Sequence, residues 1–287
     1  MQSFETSSET ERNIGLDILN QVQSELGNNE KVLIAYSGGV DSGLLCDLMW
    51  EYIPEQMVAL LLIGPFIPQY EIDNAIQFAE KQGFPLLMHE YDMLVFPDIV
   101  KNTKERCAFC KQHMASLLWQ VAKEQKCSII IDGVCQSDTD EYRPGIEAST
   151  KAGIKHPFIE AGVTKSEIRS MAQKRSLSLW NKPSSACLAS RIPYETPLTK
   201  KRLQCIEHAE QYLHEHGFSP LRVRLHDDIA RIEIVPEQFQ MLLEMRTEII
   251  SAFRELGFLY ITLDVLGYRS GSMDESMHHM KRDAIDE

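Results

Sequence analysis

Residues 32–42 read Val-Leu-Ile-Ala-Tyr-Ser-Gly-Gly-Val-Asp-Ser, and this stretch decides the fold. It begins as an apolar run typical of a buried strand, and residues 43–52 after it have the apolar pattern of a helix. A glycine pair between strand and helix lets backbone N–H groups approach an anion, which the helix N-terminus also attracts. The stretch therefore predicts a loop that binds the phosphates of a nucleotide such as ATP.

The side chains of this loop support the same prediction. Gly38 and Gly39 allow the close backbone approach, while Ser37 and Ser42 supply hydroxyl donors. Asp41 supplies a carboxylate that can hold Mg²⁺ on the phosphates. A glycine-rich turn without function is the alternative, but the strand and helix that a phosphate site requires are both present. The Gly-Lys-Ser/Thr ending of a Walker A loop is missing.

The first two thirds of the chain alternate between strand-like and helix-like segments, the pattern of an α/β fold with a parallel sheet covered by helices. The last of these helices opens with Thr164-Lys-Ser-Glu167, which fits a capping box. We predict strands at residues 31–36, 57–63, 86–90 and 128–132, and helices at residues 43–52, 69–81, 111–126 and from 164 onward.

A smaller α+β unit follows the first domain. Residues 181–198 are irregular and are expected to form a functional loop, with the domain boundary near Thr196. We predict domains at residues 1–196 and 197–272 and a tail at residues 273–287. The elements predicted in the second domain are a helix at 199–216, strands at 221–226 and 230–235, a helix at 236–255 and a strand at 259–265.

The composition is that of an ordinary globular protein, with 287 residues, 44% of them hydrophobic and 25% charged. The 29 Lys and Arg against 42 Asp and Glu give a net charge of −13, which argues against a general nucleic-acid-binding surface. Residues 1–12 lack the order of a signal peptide, and the longest apolar run, residues 58–63, is too short to span a membrane. We expect a cytoplasmic protein that binds neither nucleic acid nor membranes.

Seven cysteines are present, and two of them form the sequence Cys107-Ala-Phe-Cys110. An odd number with this spacing suits metal or redox chemistry better than a disulfide framework. Two thiolates at this spacing bind one metal centre, and a third, distant cysteine would complete a three-point attachment of a [4Fe–4S] cluster. A zinc site that includes His113 and a reduced pair without metal are the alternatives.

Cys187 is the candidate nucleophile. It is flanked in sequence by Lys182 and Arg191, cations that favour a thiolate, and it lies in the irregular segment. The alternative is a small buried hydrophobe. The remaining four cysteines lie in or near helical or strand patterns and are predicted to be structural: Cys46, Cys127, Cys135 and Cys205.

Acidic residues gather after the fourth predicted strand. Asp132-Gly133 ends that strand, and Asp138, Asp140 and Arg143 follow. The carboxyl edge of a parallel sheet is where open α/β folds bind ligands, so we assign these residues to the rim of the active site and Gly133 to nucleotide binding. Solvated loop charges are the alternative.

Arginines in the second domain form a candidate phosphate site. Arg222 and Arg224 lie two apart in a predicted strand and so project from one face. Arg269, in a Gly-Ser-rich turn, is placed to join them. Three converging guanidiniums would bind a phosphate group. Isolated surface arginines are the alternative.

The loop at residues 37–42 resembles the PP-loop of the ATP pyrophosphatase superfamily, whose adenine nucleotide alpha hydrolase-like members cleave ATP to AMP and pyrophosphate. Four further segments occur in the order that resembles the LarE family of ATP-dependent sulfur transferases. The string Ala-Cys-Leu-Ala-Ser-Arg at residues 186–191 is the discriminating piece. The four segments are residues 106–111, 132–145, 182–191 and 267–272.

This resemblance implies adenylylation of a carboxylate on a pyridinium dicarboxylate mononucleotide, followed by delivery of sulfur from Cys187. The product is the thiocarboxylate of a nickel-pincer nucleotide cofactor. Some members of the family carry a [4Fe–4S] cluster on such a Cys-x-x-Cys and the catalytic cysteine, and others rely on a single sacrificial cysteine. This sequence resembles the cluster type, which implies Cys107, Cys110 and Cys187 as the cluster ligands. We expect Arg143 and Arg191 to contact the substrate together with the three arginines above, ATP and Mg²⁺ to be required, and the chain to form a homo-oligomer.

Two rival functions remain open at this point. A tRNA thiolase of the same superfamily is disfavoured by the charge of −13 and the missing basic RNA-binding module. A non-catalytic nucleotide-binding or metal-sensing module would bind ATP without producing pyrophosphate.

Overall fold

Strand β1 (Lys31–Tyr36) is an inner strand of a four-stranded parallel sheet in the computed structural model, which describes residues 2–27, 30–138, 144–183 and 186–269. Val32, Leu33 and Ile34 are fully buried, as expected for a parallel strand covered on both faces. The other strands of this sheet are β2 (Met57–Ile63), β3 (Leu86–Glu90) and β4 (Cys127–Asp132).

The strand order β3-β2-β1-β4 determines where a ligand can bind. β1 pairs with β2 on one side and with β4 on the other, so the strand order reverses between β1 and β4. The carboxyl ends of two such strands border the crevice in which open α/β sheets bind ligands. The loop at residues 37–42 follows β1, and Gly133 follows β4.

Helices precede the first strand of this sheet, connect its strands and follow its last strand. The face of α5 that carries Ala115, Leu118 and Val121 packs in one buried cluster with Leu33 of β1 and Ile130 of β4. The helices are α1 (Gln2–Glu25), α2 (Val40–Tyr52), α3 (Gln69–Gln82), α4 (Pro97–Val100), α5 (Arg106–Glu124), α6 (Pro144–Lys151), α7 (Pro157–Glu160) and α8 (Lys165–Lys174).

The last third of the chain forms a three-stranded sheet with helices. β5 and β6 pair as an antiparallel hairpin, and β7 joins β6 in parallel. The elements are α9 (Lys200–Glu215), β5 (Leu221–His226), β6 (Ile229–Ile234), α10 (Phe239–Glu244), α11 (Arg246–Glu255) and β7 (Tyr260–Leu263).

The predicted α/β class is confirmed, and the predicted bounds of β1, β2, β3 and β5 match the structure. Two expectations were wrong. The Cys-x-x-Cys lies in α5, which begins at Arg106 rather than Lys111, and no side-chain cap at Glu105 marks that start in the sequence. The single helix expected at residues 236–255 is divided at Met245. Helices α1, α4, α6 and α7 were not predicted.

The chain divides into two compact units. The first contains the described residues of Met1–Gly64, Gln69–Asp92 and Glu105–Ser185, and the second contains those of Pro65–Pro68, Met93–Lys104 and Ala186–Glu287. The boundary predicted near Thr196 lies inside the second unit. Among the helices of the described residues, none combines the length and apolar character needed to cross a membrane.

Candidate active site

The loop after β1, residues 37–42, is held in a tight turn by its own groups. Gly38 has a φ of 74°, and a Cβ at this position would lie 2.7 Å from the Cβ of Ala75, so only glycine fits. The Ser37 N–H donates to the Ser42 hydroxyl oxygen at 3.1 Å, and the two hydroxyl oxygens lie 3.0 Å apart. The loop is therefore shaped before any ligand binds.

Helix α2 begins directly after this loop, and its N-terminus is a candidate anion-binding site of the first unit. The N-cap is Gly39, and no side chain caps the helix, while the first N–H groups of a helix have no acceptor within it. A Cβ on Gly133 would lie 2.5 Å from the Ser42 nitrogen and 2.7 Å from the Asp41 carbonyl carbon. The end of β4 is thus packed directly against a helix start that suits a phosphate group.

Asp41 lies in the first turn of α2, and its two carboxylate oxygens differ in their bonding partners. Oδ2 pairs with the ammonium of Lys165, the first residue of α8. Oδ1 is buried and makes no hydrogen bond within the described part of the chain. Because a buried carboxylate oxygen without a partner is destabilising, a divalent cation would fit here. Asp41 therefore suits the predicted role of Mg²⁺ ligand.

Lys182, which the sequence places five residues before Cys187, contacts the loop at residues 37–42 in the structure. Its Nζ donates to the Gly38 carbonyl oxygen at 2.9 Å and pairs with Glu71 at 2.5 Å. Arg169 of α8 donates to the Lys182 carbonyl oxygen at 2.8 Å. Lys182 is therefore anchored at the phosphate loop by its side chain and at α8 by its backbone.

Asp132, at the end of β4, belongs to a buried polar network. Its Oδ1 lies 2.7 Å from His156 Nδ1 and accepts from the Val134 N–H at 3.1 Å. The Thr150 hydroxyl lies 2.9 Å from the other ring nitrogen of His156. With its side chain only 16% exposed, Asp132 organises the strand end and is not a solvated loop charge.

Asp138 likewise holds the backbone that follows β4. Its Oδ2 accepts from the Cys135 N–H at 3.1 Å and lies 3.3 Å from the Cys135 sulfur. Burial raises the pKa of the Cys135 thiol to about 11, with Asp138 and Asp41 contributing to the rise and Lys165 opposing it. Cys135 is therefore a protonated structural thiol, in agreement with the sequence analysis. Asp140 and Arg143 lie outside the described residues.

In the second unit, Cys187 is exposed and precedes a short 3₁₀ turn, Leu188–Arg191. The exposure excludes the alternative of a buried structural thiol. Arg191 Nη1 donates to the carbonyl oxygens of Ala186 at 2.7 Å and Cys187 at 3.3 Å. Arg224 Nη1 donates to the Ser190 carbonyl oxygen at 2.9 Å. Two guanidiniums thus fix the backbone that carries the thiol.

These guanidiniums and that of Arg222 are buried together, and we call the three residues the arginine cluster. Arg191 forms two bonds with the Glu210 carboxylate, at 2.9 and 3.1 Å. Arg224 pairs with Glu233 at 2.5 Å. Such charge-assisted pairs offset the cost of burying both ions. Three buried cations against two buried carboxylates leave the cluster with excess positive charge.

Arg222 is the member that carries this excess. Its Nη1 donates to the Arg269 carbonyl oxygen at 3.0 Å, and its guanidinium lies 4.8 Å from the centre of the Tyr268 ring. No carboxylate of the described residues forms an ion pair with it. Burial lowers the pKa of Arg222, Tyr268 opposes this, and Arg191 and Arg224 lower it further. An anion would relieve this unbalanced charge.

Cys107 and Cys110 lie three residues apart at the start of α5, on one face of the helix. Arg106 donates to the Cys107 sulfur at 3.4 Å, and the Cys110 thiol donates to the Met114 sulfur at 3.9 Å. Among the residues that the structure describes, no group of three or more His, Cys, Asp or Glu side chains is placed to hold a metal ion. The described residues thus supply a cysteine pair and not a complete ligand set.

Known proteins resemble this chain over most of its length. The chain is 32% identical, over 249 residues, to the pyridinium-3,5-bisthiocarboxylic acid mononucleotide synthase of Lactiplantibacillus plantarum, covering 86% of the chain and 90% of the relative. The chain belongs to the LarE family. No protein-family model matches it.

Two further relatives of this LarE family member differ in how much of the chain they match. An uncharacterized protein of Synechocystis sp. is 34% identical over 258 residues, which cover 89% of the chain and 96% of the relative. A tRNA-cytidine(32) 2-sulfurtransferase of Bartonella tribocorum is 26% identical over 134 residues, which cover 41% of the chain and 43% of the relative. The likeness to the first extends over nearly the whole chain, whereas the likeness to the second covers less than half.

Four charged residues that form ion pairs in these sites were missed by sequence reasoning: Glu71, Lys165, Glu210 and Glu233. The capping box does mark Lys165 as the first residue of α8, and the structure confirms that box. Nothing in the sequence indicates its pairing with Asp41, which is 124 residues away. The carboxylates that pair with Arg191 and Arg224 are likewise distant in sequence: Glu210 lies in α9 and Glu233 lies in β6.

Proposed function

We propose that this LarE family member uses ATP to activate a carboxylate of a pyridinium dicarboxylate mononucleotide and then replaces a carboxylate oxygen with sulfur. The observation that carries the proposal is the match over 86% of the chain to a relative named as the pyridinium-3,5-bisthiocarboxylic acid mononucleotide synthase. The shaped loop at residues 37–42 and the exposed thiol of Cys187 support it, because the reaction requires a nucleotide site and a sulfur nucleophile.

ATP is proposed to bind with its phosphates at the N-terminus of α2. A carboxylate oxygen of the substrate attacks the α-phosphorus, and the bond to the β-phosphate oxygen breaks. The products of this step are an acyl adenylate and pyrophosphate. Asp41 would hold Mg²⁺, which when bound neutralises charge on the phosphates. The helix N–H groups and Ser37 orient the same phosphates.

The phosphate of the mononucleotide is proposed to bind at the arginine cluster. Arg222 supports this, because its buried charge lacks a carboxylate partner among the described residues. Arg224 and Arg191 add positive charge while holding the backbone near Cys187. Arg269 is proposed as a further contact, and so is Arg143, which is assigned from the resemblance alone.

The thiolate of Cys187 is proposed to attack the acyl carbon, so that AMP leaves and a thioester to the protein forms. Loss of the Cys187 α-proton then breaks its Cβ–S bond. The electron pair of that bond leaves with sulfur, which gives the thiocarboxylate product and a dehydroalanine in the chain. This sequence needs no external oxidant or reductant, and it limits each chain to one turnover.

A finer proposal is that Cys107, Cys110 and Cys187 ligate a [4Fe–4S] cluster. The pairing of two thiols at the start of α5 supports it. When bound, such a cluster would supply a replaceable sulfide in place of the cysteine sulfur. Since no complete ligand set forms in the described residues, we derive no step through it.

The nucleotide step is tested by incubating the protein with ATP, Mg²⁺ and pyridinium-3,5-dicarboxylate mononucleotide and separating the products. We expect AMP and pyrophosphate in equal amounts. Asp41→Asn should abolish their formation, whereas Asp73→Asn, an equal charge change on an exposed part of α3, should not. ADP and orthophosphate as the only products would contradict the proposal, and ATP binding without any cleavage would favour the non-catalytic module.

The sulfur step is tested by mass spectrometry of the protein after turnover, with and without anaerobic loading with iron and sulfide. Dehydroalanine at position 187, equal in amount to the product, is expected for unloaded protein. Repeated turnover with an intact Cys187 only after loading, lost in Cys107→Ala, would support the cluster. Dehydroalanine at position 187 in the loaded protein, equal in amount to the product, would reject cluster-borne sulfide.

A further inference from the structure

The ion pair between Lys165 and Asp41 joins two helix starts in the first unit. Asp41 is in the first turn of α2, and Lys165 is the first residue of α8. Both side chains are partly exposed, 22% for Asp41 and 28% for Lys165. The Lys165 backbone N–H donates to the Ser137 hydroxyl oxygen at 3.0 Å, which fixes the point from which its side chain extends.

Asp41 is incompletely satisfied by this ion pair. Lys165 engages Oδ2, while Oδ1 is buried and makes no hydrogen bond within the described residues. A divalent cation at Asp41 would therefore meet the ammonium of Lys165 at the same carboxylate. Two cations on one carboxylate repel each other, so the second binds well only if an anion arrives with it or the first departs.

Lys182, the other lysine at this loop, differs from Lys165 in a way that indicates their roles. Lys182 bonds to both the Gly38 carbonyl oxygen and the Glu71 carboxylate, and its side chain is 16% exposed. The Lys165 ammonium has Asp41 as its one partner in the described chain. Lys182 is thus fixed in the structure, whereas Lys165 has a single bond to exchange.

We propose that Lys165 is a displaceable counter-ion, which occupies Asp41 in the nucleotide-free protein and transfers to phosphate oxygens when a polyphosphate and a divalent cation bind. Metal and polyphosphate then bind cooperatively, because each removes a competitor of the other. Lys165 becomes a positioning residue for the leaving pyrophosphate. This inference rests on the proposed function only in taking ATP as the natural ligand.

The first test measures binding without turnover. Mn²⁺ affinity is read from the electron paramagnetic resonance signal of free metal without nucleotide, and pyrophosphate affinity from calorimetry in excess EDTA. In Lys165→Met we expect Mn²⁺ to bind about tenfold more tightly and metal-free pyrophosphate about tenfold more weakly. Lys155→Met removes the same charge from an exposed pair with Glu25 and should change neither affinity.

A double-mutant cycle separates the proposed exchange from simple charge removal. Asp41→Asn should strengthen binding of metal-free pyrophosphate in the wild type, because it releases Lys165. In the Lys165→Met background the same change should have a much smaller effect. An equal effect of Asp41→Asn in both backgrounds, or unchanged pyrophosphate affinity in Lys165→Met, would overturn the proposal. Neither result depends on the reaction products. The proposed function is tested separately, by whether AMP and pyrophosphate are formed.

Discussion

Arg222 and Arg224 are two residues apart on β5 and both are buried, yet their partners differ. Arg224 pairs with Glu233 and donates to the Ser190 carbonyl oxygen. Arg222 contacts the Tyr268 ring and a backbone carbonyl oxygen. The first guanidinium is therefore committed to holding the turn at Cys187, while the second retains charge for a ligand.

This difference predicts different outcomes for two equivalent substitutions. Arg224→Ala removes an ion-pair partner of the buried Glu233, so the free energy of unfolding should fall by about 3 kcal/mol. Arg222→Ala removes no partner from a carboxylate and should lower the free energy of unfolding by about 1 kcal/mol, yet strongly weaken mononucleotide binding. Urea unfolding and calorimetric titration with the mononucleotide measure the two effects.

Both variants should keep the wild-type affinity for ATP. If Arg224→Ala were as stable as the wild type, the stabilising role assigned to the buried pair of Arg224 with Glu233 would be wrong. Arg222→Lys serves as the graded control, because it retains the charge but loses the two-pronged geometry of the guanidinium. Its affinity for the mononucleotide should lie between those of the wild type and Arg222→Ala.

The shared face of these arginines was predictable because successive side chains of a strand alternate between two faces. The carboxylates that pair with Arg191 and Arg224 were not. Glu210 belongs to α9 and Glu233 to β6, so their proximity depends on tertiary packing and strand register rather than on local sequence. For the same reason the bond from Lys182 to the Gly38 carbonyl oxygen, 144 residues away along the chain, was not predicted.

Strands and helices were predictable to different extents. The parallel strands are continuous apolar runs bounded by turn residues, so their ends are marked in the sequence, as for β2 at Met57–Ile63. The start of α5 at Arg106 carries no side-chain cap at Glu105 and therefore no capping signal. The pairing of β1 with β4 arises from distant segments, and it is this pairing that brings Gly133 to the start of α2.

The contact between the end of β4 and the start of α2 predicts the effect of a single methyl group. Gly133→Ala would place a Cβ 2.5 Å from the Ser42 nitrogen and 2.7 Å from the Asp41 carbonyl carbon. Both are backbone atoms of α2, so neither can shift without distorting the helix start. The strand end must shift away from α2. We expect a loss of about 1–3 kcal/mol in the free energy of unfolding and a marked loss of ATP affinity. Chemical unfolding and fluorescence titration with ATP measure these.

A matched substitution exists at Gly145 in α6, where a Cβ would meet only the flexible side chain of Lys111, at 3.1 Å. Gly145→Ala should be neutral or slightly stabilising, because alanine favours a helix, and ATP affinity should not change. Equal effects of the two substitutions would show that the loss at Gly133 is not due to the contact with Ser42.

The charge of the whole chain bears on the choice between a small substrate and RNA. The net charge of −13 repels a polyanion at long range. The arginine cluster is buried, and two of its three guanidiniums are already paired with carboxylates. An isolated phosphate on a small molecule can reach such a site, whereas the extended backbone of an RNA cannot engage buried charges in a row.

This argument predicts that the protein discriminates against tRNA, although 41% of the chain resembles a tRNA-cytidine(32) 2-sulfurtransferase. In fluorescence anisotropy at physiological salt, labelled tRNA should show no saturable binding, and excess tRNA should not inhibit AMP formation that depends on the mononucleotide. The mononucleotide itself should compete with inorganic phosphate for the site, and Arg222→Ala should remove that competition. Tight tRNA binding that weakens steeply as salt rises would instead reveal a phosphate-backbone surface and would revive the tRNA thiolase.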